Sequence, residues 1–445
     1  MSSNSQRQQR RVLIVSPNFP PINTPDHQRI RMSLPHFKEF GWDYHVLALR
    51  PNVRHDYKKR IDIFLERTVP DDAEITLAGA FPVPKLKFIG EAQLGVRALP
   101  SLLRAGDKLL RSRQFDLVYF STTMFPPMSL GPRWRRKFGV PYIIDLQDPW
   151  VNDYYEREDA PLPPGGRWKH ELSQAMARTL ESSTMRHVAH VICVSPSYPR
   201  VLSARYPWLS QDKFTVLPFG AAEADFESIP DYDVRQSTFD PEDGARHLVY
   251  VGRVGPYMTK AVRILFTAIK RQRQRQPERF KSLRLHFVGT DYAPEGRAVK
   301  SVEPIANEVG IADLVEESTS RVPYLEALNI LMDGDGILLF GSDDPSYTAS
   351  KLYPCILARR PILAISHEGS SVVDILRRCN SGRVVTFPTD GGGESVLNDA
   401  SHQLDWLLSL PKGYSPDTNW SEFEPYTARE MTRKQCEVFE RYVKR

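Results

Sequence analysis

Along most of the chain, short unbroken apolar runs alternate with stretches of helical spacing. RVLIVSP (residues 11–17) is the first such run, followed by helical periodicity over 29–40 and then WDYHVLAL (42–49). DLVYFS (116–121), PYIIDL (141–146), HVICVS (190–195) and FTVLP (214–218) continue the series. A strand that is apolar on both of its alternating sides must be covered on both faces. The pattern therefore predicts a parallel sheet with helices above and below it.

Residues 221–245 interrupt the pattern with a polar, acidic stretch containing Pro230 and Pro241, which reads as a linker. The alternation then restarts with HLVYVGR (247–253), LRLHFVG (283–289), GILLFGS (336–342) and RPILAIS (360–366). Residues 426–445 close the chain with helical spacing. The expected architecture is α/β: two Rossmann-like, doubly wound domains facing a cleft, with domains at 11–220 and 246–425. Open sheets of this kind bind ligands beyond the carboxyl ends of their strands.

A length of 445 residues is about three times that of a common domain, which fits two cores. Hydrophobic residues make up 41% and charged residues 25%, an ordinary globular balance. No apolar run approaches the roughly 20 residues needed to cross a bilayer. The polar start has no apolar segment of a secretory signal behind it. Cys193, Cys355, Cys379 and Cys436 are scattered, without CxxC or nearby His, so neither a disulfide framework nor a zinc site is expected. A net charge of +5 without a dense basic stripe excludes nucleic acid as the expected partner.

Two segments of the second half carry candidate chemistry. After HLVYVGR come Gly255 and Lys260, which opens a helix. Gly252 at the strand end lets backbone approach a ligand, and Arg253 and Lys260 supply charge for phosphate. The second segment, FGSDDPSYTASKLYPCILARRPILAI, runs strand, polar loop, helix, strand. Free N–H groups at such a helix start suit a diphosphate, although ordinary capping would use the same hydroxyl residues.

Together these segments resemble the donor domain of two-Rossmann (GT-B) glycosyltransferases of family 4 and its relatives, in which a pattern like SKLYEYLAAGRPVLA recurs. Here it reads SKLYPCILARRPILA (350–364). The resemblance implies that Arg253 and Lys260 grip the donor diphosphate and that Tyr347, Thr348, Ala349, Ser350 and Lys351 cradle it. Gly289 and the RVPY segment (321–324), with Val322, fall where the family holds the nucleobase. The family's two Glu, the second on the ribose, are Ser346 and Pro354 in this chain. Lys260 is followed by Ala261 and not by the usual glycine.

In the first half, PYIIDLQDPWVNDYY resembles the family's D-x-R-D-P-W segment, with Gln147 in place of Arg. Asp148, at a carboxyl strand end, is the candidate to hold an acceptor hydroxyl, with Asp145 behind it. The loop SPNFPPINTPDHQRIRMSLPHF is Pro-rich where typical members are Gly-rich. Arg29 and Arg31, two residues apart, cannot share a helix face, so at most one is expected to face the cleft and the other to be solvated. His27 could contact a ligand, but a lone loop histidine is more often simply exposed.

The scattered cysteines make a reducing, cytoplasmic compartment the default, and the resemblance implies a metal-independent glycosyltransferase without a cofactor, retaining anomeric configuration. It would move a sugar from a nucleotide-sugar donor to a carbohydrate or lipid-linked acceptor in glycan, polysaccharide or glycolipid synthesis. Loss of the Glu pair keeps open a degenerate GT-B protein that serves as a binding or scaffold subunit. RALPSLLRAGDKLLRSR (97–113) and RWRRKFG (133–139) pair leucines with basic residues. They read either as helices packed on the sheet or as a peripheral contact with the inner face of the cell membrane.

Overall fold

The computed structural model describes residues 10–54, 56–82, 94–151, 167–291, 298–343 and 350–443. Two compact units divide the chain, Met1–Gly220 with Ala428–Arg445 as the first and Ala221–Thr427 as the second.

The first unit is built on β1 (Arg10–Val15), β2 (Trp42–Leu49), β3 (Ile75–Ala78), β4 (Leu117–Ser121), β5 (Tyr142–Leu146), β6 (His190–Cys193) and β7 (Phe214–Val216). They form one parallel sheet in the order β3-β2-β1-β4-β5-β6-β7. Central strands β1, β4 and β5 bury nearly every side chain, as their unbroken apolar runs require. The helices Leu94–Ser112 and Leu130–Phe138 cover one face, where Trp134, Leu102, Val118 and Tyr142 share a core. The helix Ala428–Glu440 returns to this unit from the chain's end. Its Phe439 stacks on Phe37 at 6.2 Å and meets Trp42 edge-on at 5.3 Å.

The second unit holds β8 (Arg246–Val251), β9 (Leu283–Val288), β10 (Val315–Ser318), β11 (Gly336–Phe340), β12 (Ile362–His367) and β13 (Gly382–Phe387). Their parallel order is β10-β9-β8-β11-β12-β13. Residues 221–245, read above as a linker, contain the helix Glu223–Glu227 and are tied into this unit. Tyr324 donates its hydroxyl hydrogen to Asp225 at 2.9 Å, and the Asn329 amide donates to the Val234 carbonyl at 2.9 Å. No helix among the described residues is long and apolar enough to cross a membrane.

Strands β3, β10 and β13 had no counterpart in the apolar runs. Each lies at a sheet edge, and at least half of its positions are exposed or half-buried. An edge strand needs only one buried side, so its sequence is not continuously apolar.

Candidate functional site

In the second unit the site residues gather at the carboxyl ends of β8, β9 and β11. β8 ends at Val251, and Gly252 follows with φ of 124°, a conformation that favours glycine. That residue also makes room. A Cβ built on Gly252 would lie 2.5 Å from Lys351 Nζ and 2.6 Å from its Cε. Lys351 comes from the turn before the helix Leu352–Leu357, and its stem crosses directly over the glycine.

The Lys351 ammonium donates to the Tyr250 hydroxyl at 3.0 Å and to the Arg253 carbonyl at 3.0 Å, and it lies 5.0 Å from the Tyr250 ring centre. Tyr250 in turn donates to the same carbonyl at 2.7 Å. These acceptors are neutral, and among the described residues no carboxylate pairs with Lys351. Burial is the main cause that pushes its pKa down to about 8; Cys355 opposes it, and the positive charges of Arg253 and Arg321 add to the lowering. A cation held by neutral groups beside two other cations is arranged to receive an anion.

Gly289 follows β9 with φ of 73°, donates its N–H to the Ser318 carbonyl at 2.9 Å, and sits 3.9 Å from the Arg321 Cα as measured from a built Cβ. The structure thus brings Gly252, Arg253, Gly289, Arg321 and Lys351 to one end of the sheet, with Val322 next in the chain and half-buried. Lys260 has other partners. Its ammonium donates to the carbonyls of Pro388 at 3.2 Å and Thr389 at 2.9 Å, closing the segment after β13. Ser350 is exposed in the turn before Lys351. Tyr347, Thr348 and Ala349, together with Ser346, lie outside the described residues. Tyr250 went unnoticed in the sequence because a tyrosine in a buried strand reads as core. Its hydroxyl is what orients Lys351.

In the first unit, Asp145 is wholly buried and faces Arg29, also wholly buried, with Arg29 Nε 2.9 Å from Asp145 Oδ2. The remaining guanidinium N–H groups donate to the carbonyls of Leu217 at 2.7 Å and Pro218 at 3.3 Å, while the Phe219 ring stands 4.8 Å away. Ser121 donates to the same Asp145 oxygen at 2.7 Å. Gln147 Nε2 lies 3.0 Å from that oxygen and 2.9 Å from the Asp26 carbonyl. Asp145 therefore ties β5 to the helix Gln28–Ser33 and, through Arg29, to the segment after β7, and among the described residues it is closed off from solvent. The expectation that one of Arg29 and Arg31 is solvated is corrected as well. Arg31 is buried too, with Nε on Gln28 at 2.8 Å and Nη1 on Thr68 at 3.1 Å. Their side chains diverge, each toward acceptors supplied by the fold. His27 is also buried and not exposed, and burial lowers its pKa to about 4, so it is neutral at pH 7.

Asp148 differs from Asp145. Solvent reaches it, yet the surrounding protein, and the Asp26 carboxylate second, push its carboxyl up to about 6. Asp26 accepts from Asn18 at 2.9 Å and from the Thr122 hydroxyl at 2.9 Å. Trp150 packs in the core, stacked on Phe125 at 5.6 Å.

Residues 27–220 match the family model described as a glycosyl transferase 4-like domain. None of the curated proteins matches the chain. Among solved structures, Anabaena Alr3699/HepE in complex with UDP and glucose aligns with a TM-score of 0.57 and 13% identity, over 97% of this chain and 100% of that one. A glycosyltransferase from Rickettsia africae aligns at 0.54 and 12%, over 98% of each chain. The N-terminal domain of Candida albicans trehalose-6-phosphate phosphatase aligns at 0.60 and 13%, over 99% of this chain and 98% of that one. At these identities the likeness is one of fold. With its two parallel α/β sheets, this chain has the GT-B glycosyltransferase fold, and residues 27–220 within its first unit are similar to the glycosyl transferase 4-like domain.

Proposed function

We propose that the protein moves a sugar from a nucleotide-sugar donor to an acceptor hydroxyl and that its second unit holds the donor diphosphate. The observation that carries this reading is the Lys351 ammonium, held over Gly252 by two neutral acceptors and within electrostatic reach of Arg253 and Arg321. A nucleoside diphosphate placed there would meet several positive charges at the end of a parallel sheet, where ligands of this fold class bind. The fold neighbour HepE has been crystallised with UDP-glucose, which makes a uridine nucleotide the first donor to try.

In this reading Lys351 and Arg253 are the primary phosphate ligands. Lys260 supports the loop beyond β13, and Gly289 with the 321–322 segment lines the nucleobase side. Positive charge fixed in place before the reaction stabilises the departing diphosphate, so the transfer runs without a metal. Asp148 positions an acceptor hydroxyl of a carbohydrate or lipid-linked saccharide. Anomeric configuration is retained, the departing phosphate taking the acceptor proton on the same face of the sugar.

Release of nucleoside diphosphate from UDP-, GDP- and ADP-sugars tests the reading. Turnover of one donor by the wild type, lost in Arg253→Ala, is expected. Tight binding of a donor without any turnover, with or without acceptor, would favour the binding-subunit alternative.

A further inference from the structure

The helices Leu94–Ser112 and Leu130–Phe138 hold eight basic residues and one acid, a surplus larger than the whole chain's +5. That acid, Asp107, is buried where the two helices meet. It accepts from Trp134 Nε1 at 3.0 Å and pairs with Lys137 and Arg111. The Trp134 ring fills the space beside Gly106, where a Cβ would come within 2.2 Å of it. The contact locks the two helices side by side and removes the only negative charge from their outer face.

On that face Arg104, Lys108, Arg133 and Arg136 are exposed and, among the described residues, make no ion pair. The next helix on the same core, Arg167–Arg186, carries an apolar stripe at successive turns. Trp168 is 66% exposed, Leu172 65% and Met176 43%. Concentrated positive charge beside exposed apolar side chains is the chemistry that an anionic lipid surface complements, charge by charge with headgroups and side chain by side chain with the acyl boundary. A soluble polyanion would use the first component and leave the second without a partner.

We propose that the outer face of the helices Leu94–Ser112 and Leu130–Phe138, with the start of Arg167–Arg186, docks on an anionic lipid surface. It goes beyond the donor-site reading and shares no residue with it. The contact would bring the enzyme to an acceptor presented in a membrane.

Flotation of the full chain with vesicles tests the proposal. The wild type should float with phosphatidylglycerol–phosphatidylcholine vesicles, stay behind with phosphatidylcholine alone, and be partly released by salt. Each lost cation should weaken binding about fivefold. The combined R104E/K108E/R133E/R136E variant should therefore fall to background while keeping the wild-type thermal transition and nucleotide affinity. The corresponding Gln variants serve if the reversals fail to fold. K270E/R275E, which lowers net charge on the second unit, should bind vesicles as the wild type does. An equal loss in that control would show a net-charge effect and overturn the assignment. Leu172→Asp with Met176→Asp should weaken vesicle binding and spare binding to soluble heparin. Unchanged vesicle binding in that pair, or capture by heparin with none by vesicles, would remove lipid from the reading.

Discussion

Lys351 occupies the space that a side chain on residue 252 would need, with its Nζ 2.5 Å from a Cβ built on Gly252. One residue is small so that another, about a hundred positions later, can lay its ammonium between Tyr250 and the Arg253 carbonyl. Gly252→Ala should displace Lys351 and also strain a backbone at φ of 124°. Nucleoside diphosphate affinity should fall about tenfold or more, the scale of one lost charged hydrogen bond. Titration calorimetry checks this, and an unchanged affinity would separate Gly252 from the site.

The pH dependence of nucleotide binding follows from the same lysine. With its pKa pushed down to about 8, Lys351 is charged below that value and loses its proton as pH rises through it. Affinity should be greatest below pH 8 and decline above it, whereas an ordinary lysine would hold until beyond pH 10. Lys351→Gln should bind weakly throughout and lack the decline. A Kd that stays flat up to pH 10 in the wild type would contradict the assignment.

Asp145 and Arg29 give a stability prediction. Removing one partner of a wholly buried ion pair leaves the other uncompensated, at a cost of about 3–5 kcal/mol. Asp145→Ala and Arg29→Ala should each lower the thermal transition sharply, with little effect on nucleotide affinity per folded molecule. Because Ser121 and Gln147 also rely on Asp145, the double variant should be less destabilised than the sum of the two. Thermal unfolding of the three variants tests this.

Asp148 should shape the acid side of the transfer rate. Its carboxyl is raised to about 6, so the ionised form that accepts a hydroxyl hydrogen appears as pH rises through 6. The kcat/KM for the acceptor should climb across that range and then level. Asp148→Asn should lower the plateau and abolish the climb, leaving donor binding intact. A climb that persists in Asp148→Asn would assign it to another group.

The sequence carried the two sheets because central strands must be apolar on both sides. Edge strands β3, β10 and β13, with one exposed side each, carried no such mark. Arg253 and Gly252 were legible as a cation and a glycine at a strand end. The partnership of Lys351 with Tyr250 was not, because it joins residues on β8 and before a distant helix, and a buried strand tyrosine resembles core. Spacing misjudged Arg29 and Arg31 for a related reason. Two residues apart on a helix they must diverge, but spacing says nothing of what waits on each side. Here Asp145 waits on one and Thr68 on the other.

Titration calorimetry of the wild type and Lys351→Ala with UDP, GDP and ADP at pH 7 tests the central claim most directly. One of the three should bind the wild type, and Lys351→Ala should weaken it by about tenfold to a hundredfold without lowering the thermal transition. Binding of none of them, or equal affinity in Lys351→Ala, would contradict a donor diphosphate held at Lys351.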